Sequence, residues 1–119
     1  MATFGTNLKL TIAKAHQPEV RGLFVDVLGA TVKQPVPGLE QYILEDGGSV
    51  GVFYVAPAEA LGEDDQQKGS WLEFRVENTE ATAAKLASAG VKRIDYQDRT
   101  HAYFQIPGGP VFRLAAAKK

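Results

Sequence analysis

An α+β fold built from two similar βαβββ modules is the architecture that this 119-residue sequence predicts. Three observations favour it: an alternating strand pattern at residues 7–14 is followed by helical spacing, the same order returns after residue 70, and a polar segment lies between the two halves. We therefore expect a single domain over residues 1–119, with module one at about 5–56, a linker at 57–69 and module two at 70–117.

Module one is predicted to begin with a strand and continue into a helix. Leu8, Leu10 and Ile12 alternate with polar or small residues, as in a strand with one buried face. Apolar residues then recur with helical spacing between Pro18, which suits a first helical turn, and Gly29, which suits a helix end. Three strands are predicted to follow, at residues 30–34, 40–46 and 49–55.

Module two repeats this order after the linker. Residues 71–77 alternate like a strand, and a helix is predicted at about 79–89, with Asn78 or Thr79 as its N-cap and Gly90 at its end. Three further strands are predicted at residues 91–96, 102–106 and 111–115, with Pro107-Gly108-Gly109-Pro110 as the turn between the last two.

Composition excludes several classes of function. The chain is 45% hydrophobic and 23% charged, which is ordinary for a globular domain. A net charge of -1 without a run of Lys or Arg argues against nucleic acid as a partner. The absence of cysteine excludes disulfides, thiolate catalysis and Cys-based zinc sites. No apolar run approaches the roughly 18 residues of a membrane span, so we expect no membrane partner and a cytoplasmic location.

The open faces of the two predicted sheets are the first candidates for a site. A helix covers only one face of each sheet, so the other faces must meet each other, curve round a cavity, or pair with another chain. Alternation places Lys9 and Thr11 of module one and Trp71, Glu73 and Arg75 of module two on these faces. Their polarity predicts a pocket or a wet interface.

Three segments resemble the vicinal oxygen chelate superfamily, which includes glyoxalase I, bleomycin-resistance proteins and extradiol dioxygenases. Residues 24–29, FVDVLG, are similar to the end of its first helix. Residues 71–91 resemble its second strand and helix, and residues 104–114 resemble its closing hairpin. The resemblance covers nearly the whole chain and implies a glyoxalase/bleomycin-resistance-like fold, in which paired modules form curved mixed sheets around a cavity.

The resemblance also implies where a metal ion would be held, namely on the first and last strands of each module. Lys9, Trp71 and Arg113 occupy three of these positions, and residues 49–55, which contain the fourth, include no His, Asp, Glu or Gln. Lys and Arg would place positive charge where a dication should sit. We therefore expect no cofactor, with a divalent metal as the alternative.

Three functions remain open at this stage. The first is a metal-free homodimer that binds or sequesters a small molecule in a cavity, as the resemblance to bleomycin-binding proteins implies. The second is an enzyme: a metal-dependent lyase, isomerase or dioxygenase with a shifted ligand set, such as Glu73, Gln41, Glu45 or His101, or a metal-free isomerase that uses His101 or Glu73. The third is a structural or regulatory module whose dimer surface is its whole role.

The candidate ligand-binding residues are Lys9, Trp71, Glu73, Arg75 and Arg113. Cationic groups among them would fix a carboxylate or phosphate, and Trp71 would either stack on a flat ligand or fill the core. Glu73 would otherwise pair with one of the neighbouring cations, because buried charges need partners.

The remaining candidate functional residues are histidines and carboxylates. His101 and Glu73 are the candidate catalytic residues, since each can exchange a proton, and His16 is expected to make a loop or cap contact. The acidic cluster Glu63, Asp64 and Asp65 is expected to form a solvated loop.

Overall fold

The computed structural model describes residues 1–117. Within them, no helix is long and apolar enough to cross a membrane. Module one contains β1 (Asn7–Ala13), a 3-10 turn (Lys14–His16), α1 (Gln17–Arg21), a π-helical turn (Gly22–Val27), β2 (Thr31–Val36), β3 (Leu39–Ile43) and β4 (Ser49–Val55). The linker contains a 3-10 turn (Pro57–Glu59) and α2 (Glu63–Lys68). Module two contains β5 (Trp71–Val76), α3 (Thr79–Ser88), β6 (Arg93–Ile94), β7 (Ala102–Gln105) and β8 (Val111–Ala116).

Two four-stranded sheets form the framework, with strand orders β1-β4-β3-β2 and β5-β8-β7-β6. In each sheet the first and last strands of the module run parallel, with Asn7 opposite Ser49 and Trp71 opposite Val111. The other neighbouring strands run antiparallel. The same order in both halves confirms the predicted α+β fold of paired βαβββ modules.

The first helix departs from the regular α-helix that its apolar spacing predicted. α1 ends at Arg21, and the chain continues as a π-helical turn in which the Leu28 N–H donates to the carbonyl of Leu23 at 3.0 Å. This turn places both Leu23 and Phe24 in the core. Gly29 follows with a φ of 74°. The predicted extent of the helical segment is confirmed, and its predicted regularity is wrong.

The strand predicted at residues 91–96 is much shorter in the structure. β6 has only two residues, Arg93–Ile94, and the chain then leaves the sheet until β7 begins at Ala102. The side chain of Asp98 accepts the backbone N–H of Thr100 at 2.8 Å. Such a local hydrogen bond favours a turn over continued extension, and the resulting loop carries Asp98 back over the sheet.

The linker is more ordered than its composition indicated. Glu63, Asp64 and Asp65 form the first turn of α2, so the prediction of a loop is wrong, although all three residues are exposed as expected. Acidic side chains favour the first turn of a helix electrostatically. The buried amide of Gln105 on β7 holds this helix in place by donating to the carbonyl of Glu63 at 3.0 Å.

The helix-covered sides of both sheets share one apolar core. Phe24 stacks on Tyr42 of β3 with ring centroids 4.7 Å apart and meets Phe74 of β5 edge-on at 5.8 Å. One side chain therefore connects both sheets. The polar faces stay outside this core, and within residues 1–117 no hydrogen bond or ion pair joins a side chain of one polar face to a side chain of the other.

A buried carboxylate lies on the helix-covered side of the first sheet. Glu40 is only 4% exposed, accepts the Tyr42 hydroxyl at 2.6 Å and lies 3.7 Å from Arg21 of α1. The Tyr42 hydroxyl also lies 2.8 Å from that of Tyr54, and burial raises the pKa of Tyr54 to about 12. Because this polar group lies on the helix-covered side, we assign it to the packing of α1 and not to the open face.

The predicted turn between β7 and β8 is confirmed, and it joins the two modules. Gly108 has a φ of 70°, a conformation that glycine adopts readily. A Cβ on Gly108 would lie 2.3 Å from the His16 ring, and a Cβ on Gly109 would lie 2.9 Å from Ile12. The turn therefore packs directly on module one, and the contact of His16 is with this turn.

Replacing Gly108 with alanine should destabilise the fold by about 2 kcal/mol or more, because the methyl group would overlap His16 and alanine disfavours a positive φ. Urea unfolding measures the loss. Gly90→Ala is the matched control, since Gly90 has a φ of 79° but no atom within 4 Å of an added Cβ; we expect a loss of about 1 kcal/mol there. Equal losses in both variants would show that the contact with His16 is irrelevant to stability.

Candidate functional site

Several polar and aromatic side chains meet at the centre of the open face of module two. Arg113 on β8 lies opposite Glu73 of β5 on one side and opposite Tyr103 of β7 on the other. Trp71 precedes Glu73 by two residues on β5, so both side chains lie on the same face. The sequence-based placement of Trp71 and Glu73 on the uncovered face is confirmed.

The Arg113 guanidinium is the charged centre of this face. Its Nε and Nη2 atoms each lie 2.8 Å from Glu73 Oε1. Its Nη1 atom lies 3.1 Å from the Tyr103 hydroxyl oxygen and 3.4 Å from Asp98 Oδ2. The guanidinium also lies over the Trp71 ring, 4.2 Å from the centroid. The hydrogen bond to Tyr103, together with the Glu73 carboxylate, raises the pKa of Arg113, so the group stays charged.

Asp98 closes the cluster from the loop between β6 and β7. Its Oδ1 accepts the backbone N–H of Thr100 at 2.8 Å and the Thr100 hydroxyl at 2.5 Å. Its Oδ2 lies 2.7 Å from His101 Nδ1 and accepts the Tyr103 hydroxyl at 2.9 Å. The hydrogen bonds from Thr100 hold the pKa of Asp98 well below its usual range. The carboxylate is therefore ionised at neutral pH, and it contacts the side chains of His101, Tyr103 and Arg113 at once.

Asp98 is not among the site residues predicted from the sequence, although the sequence contains a weak local signal for it. Asp followed two residues later by Thr is typical of a turn in which the carboxylate accepts a backbone N–H. That pattern accounts only for Oδ1 of Asp98, which accepts the Thr100 N–H. Nothing in the spacing indicates that the other oxygen reaches Arg113, which lies 15 positions further along the chain.

His101 is oriented by Asp98 at the rim of this face. Its side chain is 30% exposed, and the Asp98 carboxylate holds Nδ1, which leaves Nε2 as the second position for proton exchange. His101 also borders two open cavities of module two. One, of about 430 Å³, lies among α3, β7 and β8, and the other, of about 220 Å³, lies beside the loop between β6 and β7.

Aromatic rings form a wall beside the charged cluster. Tyr103 meets Trp71 edge-on with centroids 6.0 Å apart and stacks with Tyr96 at 4.5 Å. Trp71 is 39% exposed and Tyr96 is 38% exposed, whereas Tyr103 is buried between them, and burial raises the pKa of its hydroxyl. Of the two interpretations of Trp71, that of a core residue is not supported, because too much of its surface is open.

The remaining predicted binding residues lie outside this cluster within one chain. Lys9 is on β1 of the other sheet, where its Nζ donates to Thr11 Oγ1 at 2.8 Å and lies 5.6 Å from the Phe53 ring centroid. Arg75 is exposed on the same face of β5 as Glu73. Of the alternatives considered for Glu73, pairing with Arg113 is the one that occurs.

Comparison with solved structures identifies the fold. FosX, a fosfomycin resistance protein from Listeria monocytogenes, matches 100% of this chain and 94% of its own, with a TM-score of 0.73 at 12% sequence identity. The chain has the vicinal oxygen chelate fold. A Bacillus anthracis protein provisionally assigned to the glyoxalase family shares this fold over 99% of this chain and 98% of its own, with a TM-score of 0.73 at 13% identity.

A third structure with the vicinal oxygen chelate fold is protein ATC0852 from Agrobacterium tumefaciens. It matches 99% of this chain and 100% of its own, with a TM-score of 0.71 at 20% identity. No family model and no curated protein matches the sequence. The likeness therefore lies in the arrangement of the chain, and the chemistry has to be argued from this chain's own residues.

A divalent metal does not fit the positions at which the sequence resemblance implies metal ligands. FosX has been solved with Mn(II); in this chain the implied positions carry Lys9, Trp71 and Arg113, and β4 has no carboxylate, imidazole or Gln. Within residues 1–117, no group of three His, Asp or Glu side chains is placed to hold an ion. The carboxylates of the open face, Glu73 and Asp98, already contact a guanidinium.

The shifted ligand set considered for a metal enzyme is not assembled within one chain either. Gln41 on β3 donates to Ser49 of β4 at 3.3 Å, and Glu45 lies in the exposed turn after β3. Both belong to module one, whereas Glu73 and His101 belong to module two.

Replacing Asp98 with asparagine should lower stability in a pH-dependent way. Because the pKa of Asp98 is depressed in the folded protein, its carboxylate stabilises the fold at neutral pH, and this contribution is lost as the pH falls below about 4, the usual pKa of an aspartate. The unfolding free energies of wild type and Asp98→Asn should therefore approach each other as the pH is lowered from about 5 to the lowest pH at which both proteins remain folded.

The matched control for this measurement is Asp95→Asn. Asp95 lies in the same loop, and its side chain is 80% exposed and pairs with Arg99. We expect no narrowing for this variant, because exposed ion pairs contribute little to stability. A wild-type advantage over Asp98→Asn that stays constant as the solution is acidified would contradict the assigned role of Asp98.

Proposed function

We propose that this protein binds a small organic molecule on the open face of module two, without a metal ion, and that it does so as a homodimer. The observation that carries the proposal is the partly exposed aromatic wall of Trp71, Tyr96 and Tyr103 beside the ion pairs of Arg113. Exposed apolar surface bordered by a few fixed polar groups is typical of ligand sites.

The chemistry of this surface favours a flat ligand that carries a hydrogen-bond donor. Trp71 remains 39% exposed even though the Arg113 guanidinium covers part of its ring, so stacking surface is left for a ligand. Oε2 of Glu73 receives no hydrogen bond from residues 1–117, whereas Oε1 is held by Arg113. The free oxygen is therefore available to accept a hydrogen bond from a bound molecule.

A neighbour in fold supports a role with small molecules. A mutant of FosX from Listeria monocytogenes has been solved as a complex with Mn(II) and 1S,2S-dihydroxypropylphosphonic acid. This support extends to the binding of a small organic molecule. It does not extend to metal chemistry, because Trp71 and Arg113 occupy positions at which the resemblance implies metal ligands.

The free edges of the two sheets support a homodimer. β2 has a register shift next to Pro35, and β6 has only two residues, so neither edge is a good template for another strand. β1 and β5 are regular edge strands, and each leaves an apolar side chain partly exposed: Leu8 on the helix-covered side of β1, and Trp71 on the open side of β5. We infer that β1 of one protomer lies beside β5 of its partner, so that the open face of module one covers that of module two.

A second candidate function is a metal-free isomerase or lyase. The observation that favours it is the Asp98–His101 hydrogen bond of 2.7 Å beside an open cavity, since a carboxylate at Nδ1 orients an imidazole for proton transfer at Nε2. A compound that binds and is recovered chemically changed by wild type, but unchanged by His101→Gln, would favour this candidate over simple binding.

Binding can be measured directly because Trp71 is the only tryptophan of the chain. We expect at least one compound, in a panel of cationic, neutral and anionic aromatic molecules, to change its fluorescence saturably. Calorimetry with Trp71→Ala should then show affinity weakened by roughly tenfold through lost stacking. Phe4→Ala is the matched control, because Phe4 is fully exposed in the segment before β1, and we expect it to bind as wild type does.

The metal-free part of the proposal has its own measurement. Protein purified without a chelator or a His tag should contain no stoichiometric metal, and nickel, zinc, manganese and iron(II) should not raise its melting temperature. Stoichiometric metal, with a melting temperature that rises with metal concentration, would overturn the metal-free site whatever the outcome of the fluorescence titration.

Leu8→Glu should convert the dimer into a monomer, because a carboxylate on the edge strand β1 would be buried against the partner without a counter-ion. Light scattering coupled to size exclusion gives the mass of each species. Leu61→Glu is the matched control, since Leu61 is 62% exposed and lies in the linker, outside both edge strands, and it should remain dimeric. A monomeric wild type at the concentration used for ligand binding would refute the dimeric arrangement.

A further inference from the structure

The groups that surround the Arg113 guanidinium are of the kinds that bind cations in proteins. Two carboxylates, Glu73 and Asp98, a phenol oxygen from Tyr103 and the π face of Trp71 surround the guanidinium within 2.8 to 4.2 Å. Carboxylate oxygens and an aromatic face are the groups that attract positive charge most strongly in proteins. Here the cation that these groups surround is a side chain of the protein, the guanidinium of Arg113.

The charges of the cluster explain why a second cation would not enter. Glu73 and Asp98 contribute two negative charges, and Arg113 offsets one of them. A divalent ion placed beside the guanidinium would meet a like charge at a distance of a few ångströms, where repulsion is strong in a partly buried site. The same ion in place of the guanidinium would meet two carboxylates, with His101 already on Asp98 at 2.7 Å.

We propose that Arg113 is an internal cation that takes the place of a divalent metal in module two, and that its presence keeps the site metal-free although acidic side chains and an imidazole lie around it. This inference rests on the metal-free site of the proposed function and assigns its cause to one residue. It makes Arg113 a determinant of specificity, since its charge decides between an organic ligand and a metal ion.

The absence of metal binding could instead result from a lack of side chains able to ligate a metal ion. The two explanations predict different effects of removing the guanidinium. If donors were lacking, removal of the guanidinium would leave a site that still binds no metal. If the guanidinium is the obstacle, its removal frees Glu73 and Asp98 to accept an ion, and rotation of His101 about its side-chain bonds supplies a nitrogen. No three donors converge within residues 1–117 of the present structure, which agrees with a guanidinium lying between the two carboxylates.

The decisive experiment is a titration of the full-length, untagged Arg113→Met variant with Mn(II), with the free ion measured by electron paramagnetic resonance. Methionine retains a long apolar side chain against Trp71 but removes the charge. We expect its affinity for Mn(II) to exceed that of wild type by roughly tenfold or more, because one repelling charge is lost. Adding Glu73→Gln to this variant should abolish the gain, and Arg113→Lys, which keeps a cation, should show none.

Arg75→Met is the matched control, because Arg75 is an exposed cation on the same face but outside the cluster. An equal gain in Arg75→Met would overturn the proposal, since the effect would then be one of net charge. A folded Arg113→Met protein with no gain would also overturn it while leaving the metal-free function intact. Tight Mn(II) binding by wild type would instead refute the proposed function itself. If Arg113→Met fails to fold by circular dichroism, Arg113→Gln is judged by the same criteria.

Discussion

Each sheet of this protein can cover only one of its two faces with the helix of its own module, and the whole layout follows from this constraint. The covered faces meet around Phe24, which contacts Tyr42 in one sheet and Phe74 in the other. Because the apolar faces of both sheets are buried in this shared core, no element within residues 1–117 of the same chain covers the two polar faces. The candidate site, the exposed sheet edges and the expectation of a partner chain are consequences of that single packing arrangement.

The open face of module two differs from an apolar core because it contains charged side chains that are partly shielded from water. Glu73 and Arg113 are both partly shielded from water, and charges in such positions need partners. They find them in each other and in Asp98, which arrives from a loop instead of a neighbouring strand. The aromatic rings of Trp71 and Tyr103 lie beside the same guanidinium, so the ion pairs and the candidate ligand-binding surface form one unit.

The elements that the sequence predicted well are those with local causes. Alternation of Leu72, Phe74 and Val76 identifies β5 from residue 71, and the Asn78 cap, which accepts the N–H of Ala81 at 2.9 Å, marks the start of α3. The elements that were predicted wrongly have distant partners. Gln105 of β7 donates to the first carbonyl of α2, and the loop that follows the short β6 reaches Arg113 through Asp98.

The same distinction between local and distant causes applies to the candidate site. The sequence by itself determined the two-module fold, the faces on which Trp71, Glu73 and Lys9 lie, and the absence of ordinary metal ligands at the positions implied by the resemblance, because strand alternation and residue chemistry are local properties. Only the tertiary structure decided that Glu73 pairs with Arg113, that Asp98 links this pair to His101, and that Lys9 lies apart from them in one chain. Those outcomes depend on which strands become neighbours and where a loop returns, and such contacts between residues far apart in the chain are fixed by packing of the complete fold.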